Sequence, residues 1–173
     1  MTISKSSTGI RLRVPCVEDG AAIWELVKNT RVLDINSPYS YLMFARYFQD
    51  TCVAAEDAGK IVGFVSAFRS PAAAEVIFVW QVAVEEAYRR RGLGMAMLTH
   101  LLNSQACRGI RFLEITVTPS NQAASSLYRR LAKELGVRCE IYPCFPGWLF
   151  PGGKHEDEMM FRIGPLKEMS RKD

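Results

Sequence analysis

Residues 76–84, VIFVWQVAV, form an apolar run of strand length that leads, through Glu85-Glu86-Ala87-Tyr88, into the basic turn Arg89-Arg90-Arg91-Gly92-Leu93-Gly94. The residues that follow, 95–106, read as a helix. A turn that opens a helix leaves backbone N–H groups without partners, with the positive end of the helix dipole behind them. Glycines let a ligand approach the backbone closely, and arginine forks match phosphate oxygens. The arrangement predicts a seat for a diphosphate, with backbone donors from Gly92, Leu93, Gly94 and Met95 and charge from Arg89, Arg90 and Arg91. A surface loop with solvated arginines is the competing reading, since the pattern Arg/Gln-x-x-Gly-x-Gly/Ala is short.

The rest of the chain narrows the classes that could carry such a turn. Its 173 residues suffice for one core, and 49% are hydrophobic, so a single folded domain over 1–173 is expected, with residues 1–8 and 167–173 as flexible tails. No apolar stretch is long enough to span a bilayer, and MTISKSSTGI lacks the apolar core of a signal peptide, so a cytoplasmic protein is expected. Five cysteines at irregular spacings suit reduced thiols better than a disulfide framework. A net charge of +4 suits a polyanionic small ligand and falls short of the dense basic face of a nucleic-acid binder.

Along the chain, 10–14 alternates as a strand, and 18–31 and 38–48 carry apolar residues at helical spacing, the second helix behind an Asn36-Ser37-Pro38 break. Residues 52–56 and 61–69 are β-rich runs around Asp57-Ala58-Gly59-Lys60, a hairpin signal. After the helix at 95–106 come a strand at 112–118, a helix at 121–135 closed by Gly136, a strand at 137–142, an irregular segment at 143–156 and a last strand at 159–163. The order predicts an α+β, mixed α/β layered fold.

A second motif follows the turn after one helix and one strand. Asn121 has the chemistry of a helix cap, and Tyr128, two helical turns on, projects from nearly the same face. Tyr128 alone also fits a core aromatic on the stripe Ala124, Leu127, Leu131 and Leu135. Taken together, Arg89, Gly92, Gly94, Asn121 and Tyr128 resemble the GCN5-related N-acetyltransferase (GNAT) family over most of the chain. The resemblance implies a central, mostly antiparallel sheet of about seven strands flanked by about four helices. Strand 76–84 would splay from strand 112–118, with acetyl-CoA in the gap. Backbone groups near Val82 and Val84 would pair with the pantetheine arm, the turn from Arg89 to Met95 would hold the pyrophosphate, and Asn121 would touch the pantetheine side. Tyr128 would face the thioester sulfur and protonate the departing thiolate.

Blocks outside those motifs carry a narrower resemblance. LDINSPYSY (33–41), TCVAAE (51–56), FVWQVAV (78–84) and HEDE (155–158) are similar to the diaminobutyrate acetyltransferases of ectoine synthesis, osmoprotective enzymes that acetylate the 4-amino group of L-2,4-diaminobutyrate. On that reading Asp34, Tyr39, Trp80, His155 and Glu156 would bind the diamino acid, and Glu114 would join Tyr128 in the chemistry. The residues leave alternatives beside each: Asp34 as a solvent-facing loop acid, Trp80 as core filling, Asp157 as a solvated charge. Glu114 and the His155/Glu156 pair are the candidates to take the ammonium proton. Segment 143–156, rich in Gly, Pro and aromatics, is a candidate lid. Cys139, Cys144 and His155 match no zinc spacing, so no metal is expected. The partners expected are acetyl-CoA and a small diamino acid, with no nucleic acid and no membrane, in a homodimer. The alternatives are a family member acting on a polyamine, another diamino acid or a protein N-terminus, and a non-catalytic acyl-CoA sensor. A nucleotide-binding module is disfavoured, because the turn lacks the Gly-Lys-Ser/Thr ending of phosphate loops.

Overall fold

The computed structural model describes residues 9–167. The tails expected at 1–8 and 167–173 lie outside them save for Lys167, which is exposed. In chain order the elements are β1 (Arg11–Arg13), α1 (Gly20–Thr30), α2 (Pro38–Tyr47), β2 (Val53–Asp57), β3 (Lys60–Arg69), β4 (Val76–Val84), α3 (Leu93–Leu102), β5 (Phe112–Val117), α4 (Gln122–Leu135), β6 (Arg138–Phe145) and β7 (Glu158–Gly164). The strands form one seven-stranded sheet in the order β1-β2-β3-β4-β5-β7-β6. Every neighbouring pair is antiparallel except β4 and β5, which run parallel.

Local chemistry sets most of the boundaries. Ala58 and Gly59 both take positive φ, 48° and 81°, the twist that joins β2 and β3 through a two-residue turn. Ser37 Oγ accepts from the Tyr39 N–H at 3.3 Å, and Pro38 supplies the first turn of α2. Asn121 Oδ1 accepts from the Ala124 N–H at 3.1 Å and starts α4, which Gly136 ends in the left-handed region at φ 65°.

The sheet is covered on both faces. One face packs Ile77, Val79, Leu113 and Ile115 against Met97, Leu98 and Leu101 of α3 and Tyr128 and Leu131 of α4. The other packs Phe64 and Ala83 against Ile23 and Val27 of α1 and Tyr41 and Phe44 of α2. Two expected boundaries move. Helix α3 starts at Leu93 and stops at Leu102, not at 106. The last turn closes through the Asn103 N–H to Thr99 O and the Ser104 N–H to Leu101 O, both 3.0 Å, and Gln105–Cys107 forms a separate short 3-10 turn. Strand β6 runs past residue 142 to Phe145, through Pro143, which an edge strand tolerates because one side of its backbone needs no partner.

Two irregularities in β4 position the site. Strands β4 and β5 are paired only over Val76–Phe78 and Phe112–Glu114; beyond Phe78 and Glu114 they part. Just above, Ser66 of β3 faces Gln81 while Ala67 faces Val79, so Trp80 is an extra residue bulged out of the ladder. Strict alternation would put neighbouring side chains on opposite faces. The bulge instead sends both Trp80 and Gln81 toward α2: the Trp80 ring stacks on Phe44 at 5.0 Å, and Gln81 bonds Tyr41.

Candidate active site

The parted strands enclose a cleft of about 550 Å³. One wall carries Trp80, Val82 and Val84 of β4, the other Ile115, Thr116 and Val117 of β5. Backbone phase decides what the β4 wall offers. The Glu85 N–H donates to Val62 O on β3 at 2.9 Å, so alternation turns the polar groups of Val84, and of Val82 in the same phase, toward the cleft. The Val84 carbonyl already accepts from Arg89 Nε at 3.2 Å.

At one end of the cleft sits the basic turn. Arg90 and Gly92 both adopt left-handed backbone, φ 61° and 76°, with Leu93 opening α3. Alternating conformations of this kind point successive N–H groups into one concavity. No side chain among the described residues caps α3, and its first internal bond is Ala96 N–H to Gly92 O, 2.9 Å. The amides of Leu93, Gly94 and Met95 therefore face outward with the helix dipole behind them, and all three residues line the cleft. A Cβ on Gly94 would sit 3.3 Å from Leu127 Cδ2, so this glycine lets α3 and α4 approach.

The three arginines go to three places. Arg89 bonds the Val84 carbonyl and, at 3.4 Å, the Thr30 carbonyl at the negative end of α1, strapping that helix to the sheet. Arg90 lines the cleft beside Gly92. Arg91 lies 5.4 Å above the Tyr88 ring, and the Tyr88 hydroxyl donates to Asp57 Oδ2 at 2.6 Å. That arrangement fixes the turn to the end of β2.

Asn121 and Tyr128 both line the cleft from α4. Tyr128 is 1% exposed and packs edge-on against Phe161 at 6.4 Å, so it is a core aromatic and a cleft residue at once. Burial pushes its phenol well above the ordinary value, so the group carries its proton at neutral pH.

Next to two lining residues, Leu33 through its sequence neighbour Asp34 and Thr116 through its hydrogen bond to Glu158, lies a charged cluster built from distant segments, none of whose members lines the cleft itself. His155 Nε2 lies 3.5 Å from Asp34 Oδ2 and 3.9 Å from Glu158 Oε1. The His155 ring stacks on Phe150 at 3.8 Å, and its Nδ1 contacts the Glu156 carbonyl at 2.6 Å. That carbonyl and the two acids raise the imidazole pKa. The Glu158 side chain is 15% exposed, and its pKa is raised, chiefly by burial and against a hydrogen bond from Thr116. The loop ahead of β7 is held in place: Asp157 Oδ1 accepts from the Gly147 N–H at 2.7 Å, and Glu156 accepts from the Ser120 hydroxyl and, at 3.3 Å, its N–H.

Not every expected residue joins this arrangement. Glu114 lies in the last paired position below the fork, ion-paired to Arg162, so its carboxylate is occupied. Glu156 points to Ser120 rather than into the cluster, and Tyr39 is 71% exposed at the start of α2. Glu158 takes the place expected of Glu156. Its signal was its register: β7 starts at Glu158, so alternation sets it on one face with Met160 and Arg162. Gln81 and Tyr41, which tie the Asp34 loop to the sheet, gave no signal, because the tie depends on the bulge. Among the described residues no group of three His, Cys, Asp or Glu has metal-binding geometry, and no helix is long and apolar enough to cross a membrane.

Known proteins match this architecture. Residues 21–132 match the family described as "Acetyltransferase (GNAT) family". The L-2,4-diaminobutyric acid acetyltransferase of Shouchella clausii is 46% identical over 158 residues, covering 91% of this chain and 88% of that protein. Its counterpart in Bordetella parapertussis is 45% identical over 169 residues, covering 96% and 91%. The diaminobutyrate acetyltransferase EctA from Paenibacillus lautus, solved in complex with L-2,4-diaminobutyric acid and coenzyme A, superposes with a TM-score of 0.90 at 46% identity, covering 95% of this chain and 100% of that one. The ribosomal-protein-S18-alanine N-acetyltransferase of Escherichia coli shares the fold, with a TM-score of 0.69 at 21% identity over 95% of this chain and 98% of its own.

Proposed function

The chain belongs to the acetyltransferase (GNAT) family, and from that premise we propose that it transfers the acetyl group of acetyl-CoA to the 4-amino group of L-2,4-diaminobutyrate. The observation that carries this reading is the fork beyond Phe78 and Glu114, whose cleft runs from an anion seat to Leu33 and Thr116, the neighbours of a cluster of two acids and a histidine. The seat suits the diphosphate of CoA, and the acids suit a substrate with two ammonium groups.

The substrate amine arrives protonated, with a pKa of about 10, and only the neutral form attacks. Asp34 holds the 2-ammonium, which leaves the 4-nitrogen aimed at the thioester. Glu158, raised toward neutrality by burial and adjoining Thr116 on the cleft wall, takes the proton from the 4-ammonium directly or through water, with His155 steadying the charge. The nitrogen lone pair forms the C–N bond, and the oxyanion is met by the Val82 N–H. The nitrogen gives up its second proton to solvent, the C–S bond breaks, and Tyr128 protonates the leaving thiolate and is reprotonated from solvent. One acetyl group moves, and one proton leaves with the products.

The same reading covers what surrounds the chemistry. The chain, 1–173, acts as one catalytic domain in the cytoplasm, and the acetylated product would enter ectoine synthesis. A homodimer would cover exposed apolar surface such as Trp148, 78% exposed beyond edge strand β6. The test is an acetyl-CoA turnover screen with diaminobutyrate, ornithine, lysine and spermidine, with mass spectrometry locating the acetyl group. Diaminobutyrate should turn over best, carrying a single acetyl on the 4-nitrogen. Acetylation at the 2-nitrogen, or turnover only with spermidine, would reject the reading.

A further inference from the structure

Gln81 is a polar residue at 6% exposure, and three elements meet on it. Its backbone N–H donates to Ser66 Oγ on β3 at 3.2 Å. Its side-chain carbonyl accepts from the Tyr41 hydroxyl of α2 at 3.0 Å, and its amide Nε2 donates to the Asp34 carbonyl at 3.1 Å. A buried amide satisfied at both ends is a rigid spacer, because breaking either bond strands a polar group away from water. A second tie holds the far side of the same loop, where Trp24 Nε1 donates to the Asn36 carbonyl at 3.1 Å.

The Asp34 carboxylate itself is 79% exposed, so packing does not fix it; its backbone does, through Gln81. Gln81 follows the bulged Trp80 and precedes Val82, whose backbone faces the cleft. The amide therefore measures off the distance between the carboxylate on the loop and the strand along which the thioester lies. We propose that Gln81 is a positioning residue that sets the length of acceptor the site takes, by fixing how far Asp34 stands from the fork. The proposal rests on the function assigned above and adds to it the origin of chain-length selection. An acceptor one methylene longer, such as ornithine, overshoots the thioester when its 2-ammonium is held at Asp34. A fitted pocket discriminates by about 10–200-fold for one methylene, and only if its walls hold still.

The experiment compares the unmodified protein with Gln81→Met and Tyr41→Phe, on diaminobutyrate and on ornithine, with thermal midpoints measured in parallel. Gln81→Met keeps the side-chain length and removes both side-chain bonds; Tyr41→Phe removes one and leaves the bond to Asp34. The expected result for Gln81→Met is a rise of about 10-fold or more in KM for diaminobutyrate, KM for acetyl-CoA within about 2-fold, and a fall of at least about 5-fold in preference for diaminobutyrate over ornithine. Tyr41→Phe should lower that preference in the same direction by less. A merely structural role would move both KM values together and leave the preference unchanged, and that result in a folded variant overturns the proposal. If Gln81→Met does not fold, Tyr41→Phe decides alone, with unchanged preference again the overturning result. An unmodified protein that acetylates neither diamino acid would overturn the function and this proposal with it, so the two failures are distinguishable.

Discussion

His155 Nε2 stands 3.5 Å from Asp34 Oδ2, which joins the loop ahead of β7 to the loop between α1 and α2. The contact is exposed on the Asp34 side, so its value lies in where it places a negative charge rather than in fold stability. Asp34→Ala should raise KM for diaminobutyrate by about 10-fold or more while KM for acetyl-CoA and the thermal midpoint stay near those of the parent. Steady-state kinetics with each substrate varied in turn will check this, and an unchanged diaminobutyrate KM would take Asp34 out of the acceptor site.

Tyr128 is fully packed and lines the cleft, so Tyr128→Phe deletes one oxygen and little shape. Loss of the proton donor should lower kcat by about 100-fold or more, with CoA affinity nearly intact by calorimetry. Equal losses in both would make the ring a packing element of the cofactor site and nothing more.

Gly147 approaches the His155 backbone so closely that an added Cβ would lie 2.1 Å from the His155 carbonyl oxygen. Since Gly147 also donates to Asp157, neither segment can yield without moving the histidine. Gly147→Ala should therefore raise KM for diaminobutyrate severalfold and leave CoA binding unaltered, because the cofactor seat lies at the other end of the cleft. The same measurement on both substrates distinguishes a local shift from general misfolding.

Glu158 gives the site a pH signature. Its folded pKa lies above the ordinary value of 4.5, so the native state holds that proton more tightly than the unfolded chain does. The resulting stabilisation is full below the ordinary value and is lost as pH rises through the folded pKa. Glu158→Gln, which cannot ionise, should be more stable than the parent at about pH 7.5, with the gap closing as pH falls below about 4. If Glu158 is the proton acceptor, the same variant should lower kcat and lose the acid limb of its pH profile. Thermal melts and pH-rate curves on the two proteins provide the check.

The parts legible in the sequence were those whose chemistry is local. Asn121 announced a helix start and Gly136 its end because caps depend on a few neighbouring atoms. The glycine turn announced an anion seat for the same reason, and the hairpin at Ala58-Gly59 showed in its residue types. What escaped were relations set by distant partners. The three arginines read as one charged group, whereas Arg89 is claimed by carbonyls of α1 and β4 and Arg91 by an aromatic ring. Glu114 read as a free acid in an apolar strand because its partner, Arg162, arrives from β7. Glu158 was hidden in a run of charges, since only the true start of β7 separates it from Glu156 and Asp157, which hold the loop instead.

The bulge at Trp80 carries a consequence for how this strand can change over generations. Everything beyond Val79 in β4 owes its sidedness to one surplus amino acid. Drawn into the regular ladder instead of standing out of it, Trp80 would exchange Val82 and Val84 with Gln81 and Ala83 between the two layers, hiding valines where an amide now serves and sending the amide among leucines and methionines. A single-codon loss of Trp80 would keep that sidedness, because Val79 already faces Ala67 and Gln81 faces Ser66; an insertion of one amino acid with no second bulge to absorb it would turn the jaw's lining inside out.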